Sequence, residues 1–144
     1  MTPRVAVYLL DTHVLSEIRK RQKANKGVRK FFARVIEADE QVYVSVITIG
    51  DLRRGIELIR HRGEVRQAGL LEKWLGVVLN EYQDFILDVD EAIAQTWGKL
   101  RVPHHENALD KQIAATAIVN GLTVVTRNTN DYRKTGAKVF DPFE

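Results

Sequence analysis

Four aspartates stand where an apolar run gives way to a helix or a loop: Asp11 after VAVYLL, Asp51 in SVITIGDLRRGIEL, Asp110 at the head of DKQIAATAIVNG, and Asp131 in TRNTNDY. Carboxylates brought together repel one another unless a cation neutralises them, and a set made only of oxygen donors suits Mg²⁺ or Mn²⁺. Ions of this kind activate a water and stabilise the leaving oxygen of a phosphodiester. Basic side chains around such a cluster would hold an anionic backbone while the acids hold the metal. Each acid also has a plainer use. Asp11 is a good N-cap for the helix that follows it. Asp51 and Asp110 sit early in helices, where the dipole favours negative charge. Asp131 is an ordinary turn residue. Taken singly, Asp11 divides evenly between the two uses, Asp110 leaves both open, and Asp51 and Asp131 favour the plainer one; what points to chemistry is four acids at strand ends or first helical turns.

Such positions meet only if the elements carrying them form one sheet. The continuous apolar runs at 5–10 and 122–125 read as buried parallel strands, and shorter candidates lie at 42–44, 85–87 and 138–140. Helical patterns fall between them, at 12–21, 28–38, 48–61, 65–82, 91–101 and 109–120. The last is the clearest, with Leu109, Ile113, Ala117 and Ile118 at helical spacing and Gly121 as its stop. Strands alternating with helices, and no hairpin signal, predict an α/β domain on a mainly parallel sheet. In such sheets functional groups gather at the carboxyl ends of the strands, where strand order reverses. Asp11 and the segment from Thr126 to Asp131 both follow predicted strands.

The length of 144 residues, with no linker-like stretch, fits a single domain over 1–144, and 44% hydrophobic residues supply a core. The absence of cysteine excludes a disulfide framework, a thiolate metal site and a cysteine nucleophile, and fits a cytoplasmic setting. The opening MTPRVAVYLLD is too short for a membrane span and lacks the cleavage site of a signal peptide. A net charge of +3 is modest, but the bases cluster. Residues 19–30 hold seven of them and no acid; Arg53, Arg54, Arg60, Arg62 and Arg66 form a second group. Either is a candidate footprint for phosphate, and either also reads as a solvated helix face.

The four acid segments in this order resemble those of PIN-domain ribonucleases, specifically VapC-type toxins of toxin–antitoxin pairs in the FitB-like branch. YLLDTHVLSE is similar to the family's opening strand and first acid, VSVITIGDLRRGIE to the second-acid segment, ALDKQIAATA to the third and VVTRNTNDY to the fourth. The resemblance spans nearly the whole chain. It implies a three-layer α/β/α fold with a mainly parallel sheet of about five strands. It also implies a metal-binding, catalytic set of Asp11, Asp51, Asp110 and Asp131, with Thr12, Ser16, Thr126 and Asn128 as supporting polar residues. Arg53 and Arg54 become candidate contacts to phosphate or to a partner chain. The implied function is a Mg²⁺-dependent endoribonuclease, with Mn²⁺ able to substitute. It would cut RNA, tRNA among the candidate substrates, and so inhibit translation and growth. The implied partners are a VapB-type antitoxin and a second copy of the chain, without a membrane. One departure is visible: the family's second acid is commonly glutamate, and Asp51 is one methylene shorter, so its carboxylate would reach a metal through water. That keeps open a weakened or silent module that binds RNA or an antitoxin.

Other residues are less informative. His104 and His105 are adjacent, so on a helix they face different ways, and zinc-type spacing is absent. Glu17 could assist the polar network. Trp74 and Trp97 lie at apolar helical positions and read as core or dimer contacts. A phosphoacceptor receiver domain would need paired acids after the first strand, where Asp11 stands alone; a haloacid dehalogenase-type phosphatase would need an aspartate where His13 stands.

Overall fold

The computed structural model describes residues 7–144. The first two residues of the strand expected at 5–10, and most of the N-terminal segment read for targeting signals, lie outside them. Five strands form one parallel sheet: β1 (Val7–Leu10), β2 (Gln41–Ser45), β3 (Ile86–Leu87), β4 (Thr123–Val125) and β5 (Lys138–Phe140), in the order β3-β2-β1-β4-β5. Seven helices connect them: α1 (Thr12–Ile18), α2 (Lys26–Glu37), α3 (Val46–His61), α4 (Val65–Glu81), α5 (Glu91–Leu100), α6 (Ala108–Asn120) and α7 (Thr129–Arg133). The chain leaves β1 toward β2 and β3 on one side and returns to β4 and β5 on the other. The switch in direction therefore falls between β1 and β4.

The strand period of two sends side chains to two cores. Tyr8, Leu10, Val44 and Val125 face a cluster built with α1, α2, α3 and α4, including Leu15, Phe31, Leu52 and Leu75. Leu9 and Val124 face the opposite cluster, built with α6 and α7 through Ile113, Ala114, Ala117 and Tyr132. The result is a three-layer α/β/α arrangement. Alanines on α6 let it lie close on the sheet: Ala114, Ala115 and Ala117 are all fully buried. Trp74 packs against the first cluster, and the Trp97 indole N–H donates to the Ala108 carbonyl at 3.0 Å, joining α5 to α6.

Local chemistry explains where the expected elements shift. The helix expected over 12–21 ends at Ile18, and Arg21 takes a positive φ of 55° before a single 3-10 turn at Arg21–Lys23. The next helix starts at Lys26 because the Asn25 side chain accepts from the Gly27 and Val28 amides. The third starts at Val46, where the Ser45 hydroxyl accepts from the Ile47 amide at the very end of β2. The segment after β4, expected as a loop, contains the short helix α7. Near the opposite end of the chain, Gly27 leaves room for the C-terminal strand exit: a Cβ there would lie 1.9 Å from the Pro142 carbonyl oxygen.

Candidate active site

Asp11 follows β1 at the switch point, and its amide donates to the Val125 carbonyl of β4 at 3.0 Å. It is only 3% exposed. Its use as a helix cap is realised, and the same carboxylate also meets side chains from beyond its own helix. In extended backbone it caps α1, Oδ1 accepting from the Thr12 amide at 2.9 Å. The same oxygen faces the Tyr132 hydroxyl at 3.2 Å, and Oδ2 accepts from the Thr126 hydroxyl at 2.9 Å. Thr126 Oγ1 in turn accepts from the Asn128 amide at 2.9 Å, which fixes the turn into α7. All the donors on this buried carboxylate are neutral.

Asp110 reaches the same place from the first turn of α6. Its Oδ1 lies 3.4 Å from the Tyr132 hydroxyl, so one phenol stands between two carboxylates. Burial first, and then the charge of Asp11, push the Asp110 carboxyl above the usual carboxylate range; the negative charge of Asp131 adds to this, and the Tyr132 hydroxyl opposes it. The Tyr132 phenol is itself pushed far up, by burial and then by the charges of Asp11 and Asp110. It is a proton donor at any ordinary pH. Asp131, on α7, is exposed and has no hydrogen-bond or ion-pair partner among the described residues. With Asp110 it lines a cleft of about 600 Å³.

Asp51 is placed differently. It lies in the second turn of α3, half-buried, and no hydrogen bond or ion pair ties it to the other three acids among the described residues. Thr48, one turn earlier on the same face, is fully buried with an unpartnered hydroxyl. Among the described residues, no three carboxylate or histidine groups converge into a ready-made metal cage. The donor chemistry nevertheless fits a hard divalent cation. Among the described residues, three neighbours use the oxygens of Asp11, Asp110 keeps an oxygen without a partner, and the one proton of Tyr132 is shared between two carboxylates. An excess of negative charge is left in a half-buried crevice.

The supporting residues separate in the same way. Thr126 acts through its hydroxyl and Thr12 through its backbone amide. Ser16 and Asn128 line a second hollow of about 400 Å³ with His13, Arg19, Lys20 and Arg127. Part of the basic cluster at 19–30 thus shares a hollow with Arg127 and Asn128, which follow Thr126 in the turn toward α7. Arg53 does not: it pairs with Glu72 at 2.5 Å and Glu57 at 3.3 Å across α3 and α4, and Arg60 joins the same pair of acids. Arg54 is exposed on α3. Lys99, Lys111 and Lys134, none of them singled out by the sequence, line the cleft beside Asp110 and Asp131. Glu17 serves the turn after α1, accepting from the Asn25 amide at 2.8 Å and pairing with Lys20 at 3.0 Å. His104 and His105 are exposed beside Glu106.

The model of the PIN domain matches residues 8–138, from the strand that delivers Asp11 to the edge strand β5. The chain belongs to the PIN-domain family. Among PIN-domain relatives, it is 33% identical over 140 residues to the toxin FitB of Neisseria gonorrhoeae, covering 94% of this chain and 97% of FitB. It is 28% identical over 139 residues to the VapC ribonuclease Y4jK of Sinorhizobium fredii, covering 94% and 97%. The crystal structure of FitAcB from Neisseria gonorrhoeae has the same PIN fold, with a TM-score of 0.79 at 33% identity over 94% of this chain and 97% of that one. No helix among the described residues is long and apolar enough to cross a membrane.

Proposed function

We propose that this PIN-domain chain is the toxin of a toxin–antitoxin pair, an endoribonuclease that depends on Mg²⁺, with Mn²⁺ able to replace it. The observation that carries the reading is the Asp11–Tyr132–Asp110 contact at the β1/β4 switch point, with Asp131 beside it: negative charge gathered with no ion pair to a cationic side chain among the described residues. Asp11 and Asp110 are the residues to hold the ion, Asp131 reaches it from the cleft, and Asp51 adds charge from α3 at longer range. When bound, such an ion supplies an activated water and stabilisation of the leaving oxygen. Thr126 and the Thr12 amide keep the Asp11 carboxylate in one orientation. Lys99 and Lys134 on one side, and Arg127 and Arg19 on the other, hold the phosphates flanking the cut.

The relatives' names, toxin and VapC ribonuclease, support RNA as the substrate, with tRNA a candidate, and growth inhibition as the consequence. A VapB-type antitoxin is the neutralising partner. A second copy of the chain is the other, and the exposed Ile118 and Val119 near the end of α6 offer it apolar contacts. Incubation with total RNA and Mg²⁺, followed by mapping of the cut ends, tests this. Fragments should carry 5′-phosphate and 3′-hydroxyl ends and should vanish with a chelator; 2′,3′-cyclic phosphate ends would contradict it. The free-standing position of Asp51 favours one alternative, a silent module that binds RNA or antitoxin, and that reading predicts no metal-dependent cut in the same assay.

A further inference from the structure

Tyr132 is not among the residues singled out by the sequence, yet its side chain is fully buried and its ring belongs to the core beneath α6, with Ile113, Ala114 and Ala117. A buried tyrosine needs a partner for its hydroxyl, and packing alone would be served as well by phenylalanine. Here the hydroxyl has two partners, Asp11 Oδ1 at 3.2 Å and Asp110 Oδ1 at 3.4 Å, and both are acceptors. These carboxylates come from elements far apart in sequence, the exit of β1 and the first turn of α6. Apart from the phenol, no hydrogen bond links them among the described residues.

We infer that Tyr132 is a positioning residue: its hydroxyl holds the Asp11 and Asp110 carboxylates at one shared point, so that a divalent cation meets a prearranged pair. This rests on the metal-dependent reading proposed above. Partners that hydrogen-bond a metal-ligating carboxylate fix its orientation, and their loss typically weakens metal binding by about 10–100-fold. Tyr132 is suited to that role because its ring is locked in the core while its one proton lies between the acids. In the metal-free protein the same proton offsets part of the repulsion between them.

Tyr132→Phe keeps the ring and removes one oxygen. Calorimetric titration of native protein, Asp11→Ala and Tyr132→Phe with Mn²⁺, beside thermal melts of each, separates the possibilities. The native protein should bind, Asp11→Ala should not, and Tyr132→Phe should bind about tenfold or more weakly. Failure of the native protein to bind would overturn the metal reading itself. Native binding, with Tyr132→Phe within twofold of native or tighter, would overturn the role given to Tyr132 while leaving the metal reading standing; a merely structural hydroxyl moves the melting temperature and not the affinity. If Tyr132→Phe does not fold, Asp110→Asn and Asp110→Asn/Tyr132→Phe decide, because removing one charge relieves the repulsion. The double variant should then fold and melt close to Asp110→Asn, although Tyr132→Phe alone does not fold. A double variant that also fails to fold, while Asp110→Asn folds, would contradict the inference.

Discussion

Two groups of charges in this molecule are built on opposite principles. On the α3–α4 hairpin, Arg53, Glu57, Arg60 and Glu72 face solvent and neutralise one another side by side. The guanidinium groups hold Glu57 and Glu72 below the ordinary carboxylate range. At the carboxyl edge of the sheet, Asp11 is buried, Asp110 half-buried, and their partners are a backbone amide, a threonine and a tyrosine, none of them positively charged. Exposed opposite charges contribute little to stability and ask little of the fold. Buried like charges are costly and persist where a function needs them. The contrast separates acids that the fold pairs with cations from acids that it leaves without an ion-pair partner among the described residues, and the proposed function rests on the second group.

Changes at the carboxyl edge should therefore trade stability against activity, and changes on the hairpin should do neither. The largest effect after Asp11 falls on Asp110. Asp110→Asn should reduce metal-dependent cleavage to near background while raising the melting temperature of the metal-free protein. The sign follows from the raised carboxyl: the folded state holds the Asp110 proton more tightly than the unfolded state, so its contribution is present at low pH and lost as pH rises through the folded range. The native metal-free protein should lose stability over that interval more steeply than Asp110→Asn, as melts across acid to neutral pH would reveal. Mn²⁺ affinity of the native protein should weaken as pH falls through the same range, because the ion competes with the proton.

Thr126→Val comes next. It keeps the shape, removes the donor to Asp11 Oδ2 and strands the Asn128 amide, and should cost about 1.5–3 kcal/mol in denaturant titration. Asp51→Asn should lower cleavage by a smaller factor than Asp110→Asn, since nothing ties Asp51 to the Asp11–Tyr132 network; a loss as large as that of Asp110→Asn would make Asp51 a direct ligand. The smallest effect belongs to the hairpin: Glu72→Gln should leave both the melting temperature at physiological salt and the cleavage rate close to native.

Much of this contrast is legible in the residues, and the gaps have physical causes. The alternation of apolar runs and helical periods points to the parallel sheet, and Asp11, Asp110 and Asp131 stand out because strand ends and first turns meet at a switch point. Asp51 also stands where an apolar run passes into a helix, about one turn further in, and among the described residues no hydrogen bond or ion pair ties it to the other three. The α7 helix is invisible in sequence because five residues are too few to show a helical period. Tyr132 escapes notice because an aromatic residue after an acid reads as packing; the available signal is a hydroxyl on a residue destined for the core. Arg53 reads as a phosphate contact although Glu57, four residues on, is already a visible partner. Glu72 is beyond reach, since only the tertiary fold brings α4 to α3. Lys99, Lys111 and Lys134 form no run in sequence and become neighbours only when α5, α6 and α7 close around the cleft.

The central claim is that negative charge around Asp11, without an ion-pair partner among the described residues, exists to bind a metal that cuts RNA. Native protein and Asp11→Ala, each incubated with total RNA in Mg²⁺ and again in chelator, test it most directly. Cleavage should occur only with native protein and Mg²⁺, while circular dichroism shows both chains folded. Equal cleavage by folded Asp11→Ala, or cleavage by native protein that survives chelation, would contradict it.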